Sequence, residues 1–124
     1  MKTLTKAEEQ VMQYLWELNG GFVREIIERY PDPKPAYNTV STIVRILENK
    51  EFVLHETFGK SHKYIPAISK EEYRAFTAEK VVEGYFGGSA KNLVSYFIKD
   101  KGMDTSDLDE ILKIIEAAKS KKKS

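Results

Sequence analysis

The chain contains no cysteine, so disulfides, thiolate metal clusters and thiol nucleophiles are excluded. His55 and His62 are its only imidazoles, and two histidines without a patterned carboxylate partner do not make a metal site. No metal or other cofactor is expected. Proline and glycine are sparse, at four and seven residues, so each cluster of them marks a break between elements. No stretch approaches the roughly 18 uninterrupted apolar residues of a membrane span. The opening Met1-Lys2-Thr3-Leu4-Thr5-Lys6 lacks a signal peptide's apolar core, and the chain is expected to stay in the cytosol. An excess of one charge sign is also missing. Residues 1–68 carry nine Lys or Arg against nine Asp or Glu, and residues 69–124 carry eleven against ten. Neither half attracts a polyanion by bulk charge, so local distribution decides. Acid-free windows run from Pro33 to Leu47, with Lys34 and Arg45, and from Thr57 to Lys70, with Lys60, His62, Lys63 and Lys70.

What is present suits a packed interior: 41% of the 124 residues are hydrophobic, and seven Tyr, six Phe and one Trp supply bulk. Five segments place four apolar residues at the i, i+3, i+4, i+7 spacing of one helix face. They are Val23, Ile26, Ile27, Tyr30; Val40, Ile43, Val44, Leu47; Ala78, Val81, Val82, Tyr85; Ala90, Leu93, Val94, Phe97; and Leu108, Ile111, Leu112, Ile115. A sixth helix opens at Thr5, where Thr5 and Glu8 have capping-box spacing, and Gly20-Gly21 stops it. Pro31, Pro33 and Pro35 end the next helix at Tyr30 and force an extended link. The following helix spans about Tyr37 to Lys50. Phe52–Phe58 and His62–Pro66 are rich in β-formers and flank Gly59-Lys60-Ser61, a hairpin tip. Ser69 and Glu72 start another helix, which reaches Phe86 before Gly87-Gly88-Ser89.

The fold expected is mainly α with a small β-hairpin. Three helices and the hairpin form a winged helix-turn-helix over residues 1–68, and a helical dimerisation region with a disordered Lys-rich tail fills 69–124. In such a domain the third helix enters the DNA major groove. Here its outward face carries Asn38, Ser41, Thr42 and Arg45 with Thr39 at the edge, short polar side chains that let a helix approach base edges while Arg forks onto guanine. Lys60, His62 and Lys63 at the hairpin tip are placed for phosphate contact. Catalysis finds no support. The acid pairs Glu8-Glu9, Glu71-Glu72 and Asp109-Glu110 lie at helix starts, where they complement the dipole, and no nucleophile-elbow, Walker or dinucleotide-binding motif occurs. Tyr73, Phe76, Tyr85, Phe86, Tyr96 and Phe97 give the C-terminal half more aromatic surface than its short helices can hide. They point, with Leu93, Val94, Leu108, Ile111, Leu112 and Ile115, to a homodimer that places two recognition helices on a palindromic site. A winged-helix protein-interaction module and a small-molecule-responsive regulator are the competing readings.

Over nearly its whole length the chain resembles the penicillinase-repressor family of bacterial transcription regulators, the BlaI/MecI type to which copper-responsive CopY repressors also belong. The resemblance rests on Leu4-Thr5-Lys6-Ala7-Glu8 with Val11-Met12 and Leu15-Trp16, on Val23-Arg24-Glu25-Ile26, on Asn38 through Glu48, on the basic hairpin Phe58 to Tyr64, and on Gly87-Gly88, Leu93-Val94 and Phe97. It implies a homodimeric repressor of an antibiotic-response operon such as that of a β-lactamase. It also implies relief when a membrane-bound metalloprotease sensor triggers cleavage in the C-terminal domain, matched here by Tyr96-Phe97. Three positions depart from the family pattern. Tyr96 stands for the usual Asn of the cleaved bond, Glu51 for the Gly after the third helix, and Ser41 for an Arg found in many relatives. The copper-responsive members' cysteine motif is absent.

Overall fold

A computed structural model describes residues 1–101 and, beyond them, 104, 106, 107, 109, 110 and 113. It divides into two compact units, Met1–Ala78 and Glu79–Ser124. The first contains α1 (Lys6–Leu18), β1 (Gly21–Phe22), α2 (Val23–Arg29), α3 (Tyr37–Asn49), β2 (Val53–Phe58), β3 (Ser61–Pro66) and the opening turns of α4 (Lys70–Tyr85). The second contains the rest of α4 and α5 (Ala90–Lys101).

The expected capping box opens α1: the Thr5 hydroxyl accepts from the Glu8 amide and the Glu8 carboxylate accepts from the Thr5 amide, both at 3.2 Å. Val11, Met12 and Leu15 on its inner face are fully buried. The helix ends where Asn19 turns left-handed (φ 56°) and Gly20 follows at φ 106°. A Cβ on Gly20 would lie 3.1 Å from the Tyr64 carbonyl oxygen, so only glycine lets the chain pass so close to β3. That passage makes β1, which pairs antiparallel with β3 through Gly21 opposite Tyr64 and Phe22 opposite Lys63. The expected two-stranded hairpin is thus a three-stranded sheet in the order β1-β3-β2. A strand of two residues has no periodicity to read.

The Phe22 amide donates to the Glu25 carboxylate at 2.9 Å as α2 begins. Past its end, the Lys34 ammonium donates to the carbonyls of Glu28 (3.1 Å) and Tyr30 (2.8 Å), so one acid-free cation neutralises the negative end of α2. Val40, Val44 and Leu47 of α3 are fully buried and Ile43 packs beside them. The helix closes in a Schellman motif: the Phe52 amide donates to Leu47 O at 2.9 Å and the Glu51 amide to Glu48 O at 3.0 Å. Glu51 takes the left-handed position (φ 67°), so this chain carries, at about 1–2 kcal/mol, a strain that a glycine there would avoid.

The Trp16 indole N–H donates to Ile68 O at 2.8 Å and ties the segment after β3 to α1. A Ser69–Glu72 capping box then starts α4. Tyr73 is buried against Phe52 (5.6 Å between ring centroids) and Trp16 (6.1 Å), with Phe76 packed beside it. Tyr73 and Phe76, expected at a dimer surface, are therefore occupied within the chain. The compact unit extends accordingly to Ala78, past the expected limit at residue 68.

In the second unit Phe86 meets Tyr96 at 5.8 Å, and Leu93 and Val94 are half-buried, yet none of its described residues is buried. Asp104 accepts from the Asp107 amide at 3.0 Å and from the Ser106 hydroxyl at 2.7 Å. Leu108, Ile111, Leu112, Ile115 and the Lys-rich tail lie outside the described residues.

Within the first unit an ion pair joins α1 to the end of α3. Lys50, after α3, meets the buried Glu8 carboxylate at 2.6 Å. Burial pushes the Glu8 carboxyl up, but its bonds to Lys50 and Thr5 outweigh that and hold it below the ordinary 4.5. A depressed carboxyl contributes its stability above about pH 4.5 and loses it as the pH falls through the folded-state value. Urea midpoints measured at about pH 7 and about pH 3.5 should therefore converge between wild type and Glu8→Gln as the solution is acidified, with the wild type falling further. Parallel lines would exclude Glu8 as a source of acid sensitivity.

Candidate nucleic-acid interface

With Val40, Val44 and Leu47 turned inward, α3 leaves Asn38, Thr39, Thr42 and Arg45 exposed and Ser41 half-exposed. Thr42 donates back to Asn38 O at 2.9 Å. The Arg45 Nε donates to Ser41 O at 3.3 Å, which steadies the stem while the two terminal nitrogens remain available for a forked contact. No acidic residue occupies the first turn of α3 and no side chain caps it. The positive end of its dipole thus stays unneutralised on the face that carries the polar residues.

The wing comes to this helix from the side. Its tip turns at Gly59 (φ 60°), and Thr57 pairs with His62, His55 with Tyr64 and Glu56 with Lys63. Side chains alternate faces along a strand, so His62 and Tyr64 share one face and Lys63 takes the other. On the α3 side lies a concavity of about 230 Å³ lined by Val23, Tyr37, Ser41, Arg45, Lys60, Ser61, His62 and Tyr64. It holds two cations and no carboxylate. Burial, followed by the Glu48 carboxylate, pushes the Tyr64 phenol up, so it stands in the wall as a neutral hydroxyl at pH 7.

Four of the expected residues therefore converge: Ser41, Arg45, Lys60 and His62. Asn38, Thr39 and Thr42 extend the same helix surface outside the concavity. Lys63 does not converge. Its register sets it half-buried between Phe22 and Glu56, on the sheet face away from His62. Tyr37 was not expected there. It is 50% exposed, lines the groove and lies under the Arg24 guanidinium, 5.8 Å from its ring centroid. A tyrosine two residues after Pro35, at the first position of the helix, was the available signal.

Among the described residues no group of three or more His, Asp or Glu is placed to hold a metal ion, and no helix is long and apolar enough to cross a membrane. The three-helix frame, the polar α3 face and the hairpin beside it define a winged helix-turn-helix. Residues 4–117 match the family described as penicillinase repressor, and the chain belongs to it. It is 22% identical to the penicillinase repressor of Bacillus licheniformis over 97% of this chain and 94% of that one. It is 23% identical to that of Staphylococcus aureus over 90% of each chain. To the transcriptional regulator BlaI of Mycobacterium tuberculosis it is 27% identical, over 81% of this chain and 75% of that one. The family consists of transcriptional regulators, not enzymes.

Proposed function

We propose that the protein is a homodimeric repressor that binds a palindromic operator in double-stranded DNA and works in the bacterial cytoplasm. The observation that carries this reading is the carboxylate-free groove in which Arg45 of α3 meets Lys60 and His62 of the wing. Arg45 and the outer α3 residues read base edges while the wing holds the backbone beside them. Duplexes selected from random-sequence DNA by the full chain should converge on an inverted repeat, with half-sites about one helical turn apart. Binding to them should weaken linearly in log salt. Selection of no preferred sequence would overturn the reading.

Dimerisation belongs to the second unit. Its helices have the apolar spacing of buried faces, yet Tyr85 is 83% exposed and Tyr96 and Phe97 are 40% and 38% exposed. A second copy of the chain covers these faces, with Phe86, Leu93 and Val94 beneath them. Sedimentation of the full chain at micromolar concentration should give a dimer, and Tyr85→Asp with Phe97→Asp should give a monomer that binds the selected duplex at least about tenfold more weakly, because the second half-site is no longer tethered. A monomeric wild type would refute it.

The same placement supports relief of repression by proteolysis. The Tyr96-Phe97 bond lies midway along α5, and cutting it leaves two pieces too short to remain helical without packing. A membrane metalloprotease sensor, acting directly or through another protease, is the proposed agent, and a β-lactamase or related resistance operon the proposed target.

A further inference from the structure

Behind His62 the structure holds a chain of side chains that neither the groove nor the fold requires. The Glu48 carboxylate, on α3 one turn past Arg45, bonds the His55 Nδ1 on β2. A neutral imidazole makes that bond by donating its Nδ1–H, so no charge on His55 is needed. The His55 ring in turn stacks on His62 of β3, with centroids 4.3 Å apart and planes within 7°. Both rings rest near the buried Tyr64, at 6.1 and 6.3 Å. Apart from this chain the wing is held through β3, by its pairing with β1 and the buried Tyr64, and by the edge contact of Phe58 with Phe22 at 5.8 Å. Every residue of β2 after Val53 is exposed, and nothing lies within 4 Å of the position a Gly59 Cβ would take.

We propose that Glu48 and His55 are positioning residues for DNA binding: they form a brace from the recognition helix to the wing that holds His62, and with it Lys60, at a fixed distance from Arg45. The proposal rests on the DNA-binding reading and deepens it. A hairpin free to swing would reach phosphates in many poses and lose orientational freedom on each encounter. A braced one meets the backbone in the register that Arg45 sets. His62 then has two roles, as the end of the brace and as a polar contact in the groove.

The test uses the full chain and a duplex that the wild type has selected from random DNA, titrated by fluorescence anisotropy over a salt series. His55→Ala should weaken binding on the order of five- to tenfold and flatten the salt dependence as His62→Ala does. The two together should be no worse than His62→Ala alone within about twofold, because His55 acts only through His62. Glu48→Ala and Glu48→Gln remove the same negative charge, but only the glutamine retains an oxygen that can accept from Nδ1. Glu48→Ala should therefore bind several-fold more weakly than Glu48→Gln. His55 lies at the surface, and unchanged thermal unfolding of each variant separates a displaced wing from a damaged fold. Additive losses at His55 and His62, or equal binding by the two Glu48 variants, would overturn the brace. Arg45→Ala in the same titration separates the two readings. If it weakens binding while His55→Ala does not, the brace fails alone; if neither does, the groove reading on which the brace rests fails with it.

Discussion

Arg45→Ala combined with Lys60→Ala is expected to cost about 1–3 kcal/mol at each half-site from the arginine alone, and the proposed dimer would incur that loss twice. Operator affinity should fall at least roughly thirtyfold. The two changes leave distinct signatures. Removing Arg45 should relax preference at one base pair, because a guanidinium steadied by Ser41 O presents its fork in one direction. Removing Lys60, at the tip, should weaken all sequences alike and reduce the salt slope by about one unit. Lys63→Ala should do much less, since that side chain lies opposite Glu56 on the sheet's other face. The measurement is a titration of the selected duplex and of an unrelated one over a range of salt. Unchanged affinity in the double variant would remove the groove from any role in DNA binding.

Phe52→Ala should destabilise the first unit by about 3–5 kcal/mol, a large part of the roughly 5–15 kcal/mol that holds a domain folded. Phe52 is fully buried and its ring meets Tyr73 of α4 edge-on. Its backbone closes the α3 Schellman motif through its amide and accepts from the Ala67 amide at 2.8 Å through its carbonyl. Alanine retains both backbone bonds, so the loss reports ring packing alone. Urea unfolding followed by circular dichroism measures it, and a loss under about 1 kcal/mol would mean the cavity collapses freely and Phe52 is not central to the core.

The parts legible in the sequence were those written locally. The spacing of Val40, Val44 and Leu47 identified both the buried face of α3 and, by subtraction, its polar face. Thr5-Glu8 and Ser69-Glu72 marked two helix starts that the hydrogen bonds bear out. What stayed hidden depended on distant partners or on parity. Tyr73 looked like surplus aromatic surface because Phe52 and Trp16, which cover it, lie far away in the chain. Lys63 looked equivalent to Lys60 because neighbouring lysines at a hairpin tip are alike until the register assigns each a face. Lys34 counted as a free cation until the carbonyls of α2 claimed it.

The two ends of α3 are built unlike each other. Its carboxyl end is locked by Leu47, Phe52 and the Lys50–Glu8 pair, whereas its amino end has no side-chain cap and begins with exposed Tyr37, Asn38 and Thr39. Local opening starts where packing is thinnest, so the first turn should exchange its amide hydrogens quickly while the last turn is protected. The restless end is the one that would enter a groove. Docking on DNA then carries an ordering cost that only a complementary sequence offsets in full, and a mismatched site leaves the turn loose and the complex short-lived. Discrimination in this protein would accordingly reside in residence time more than in the rate of encounter.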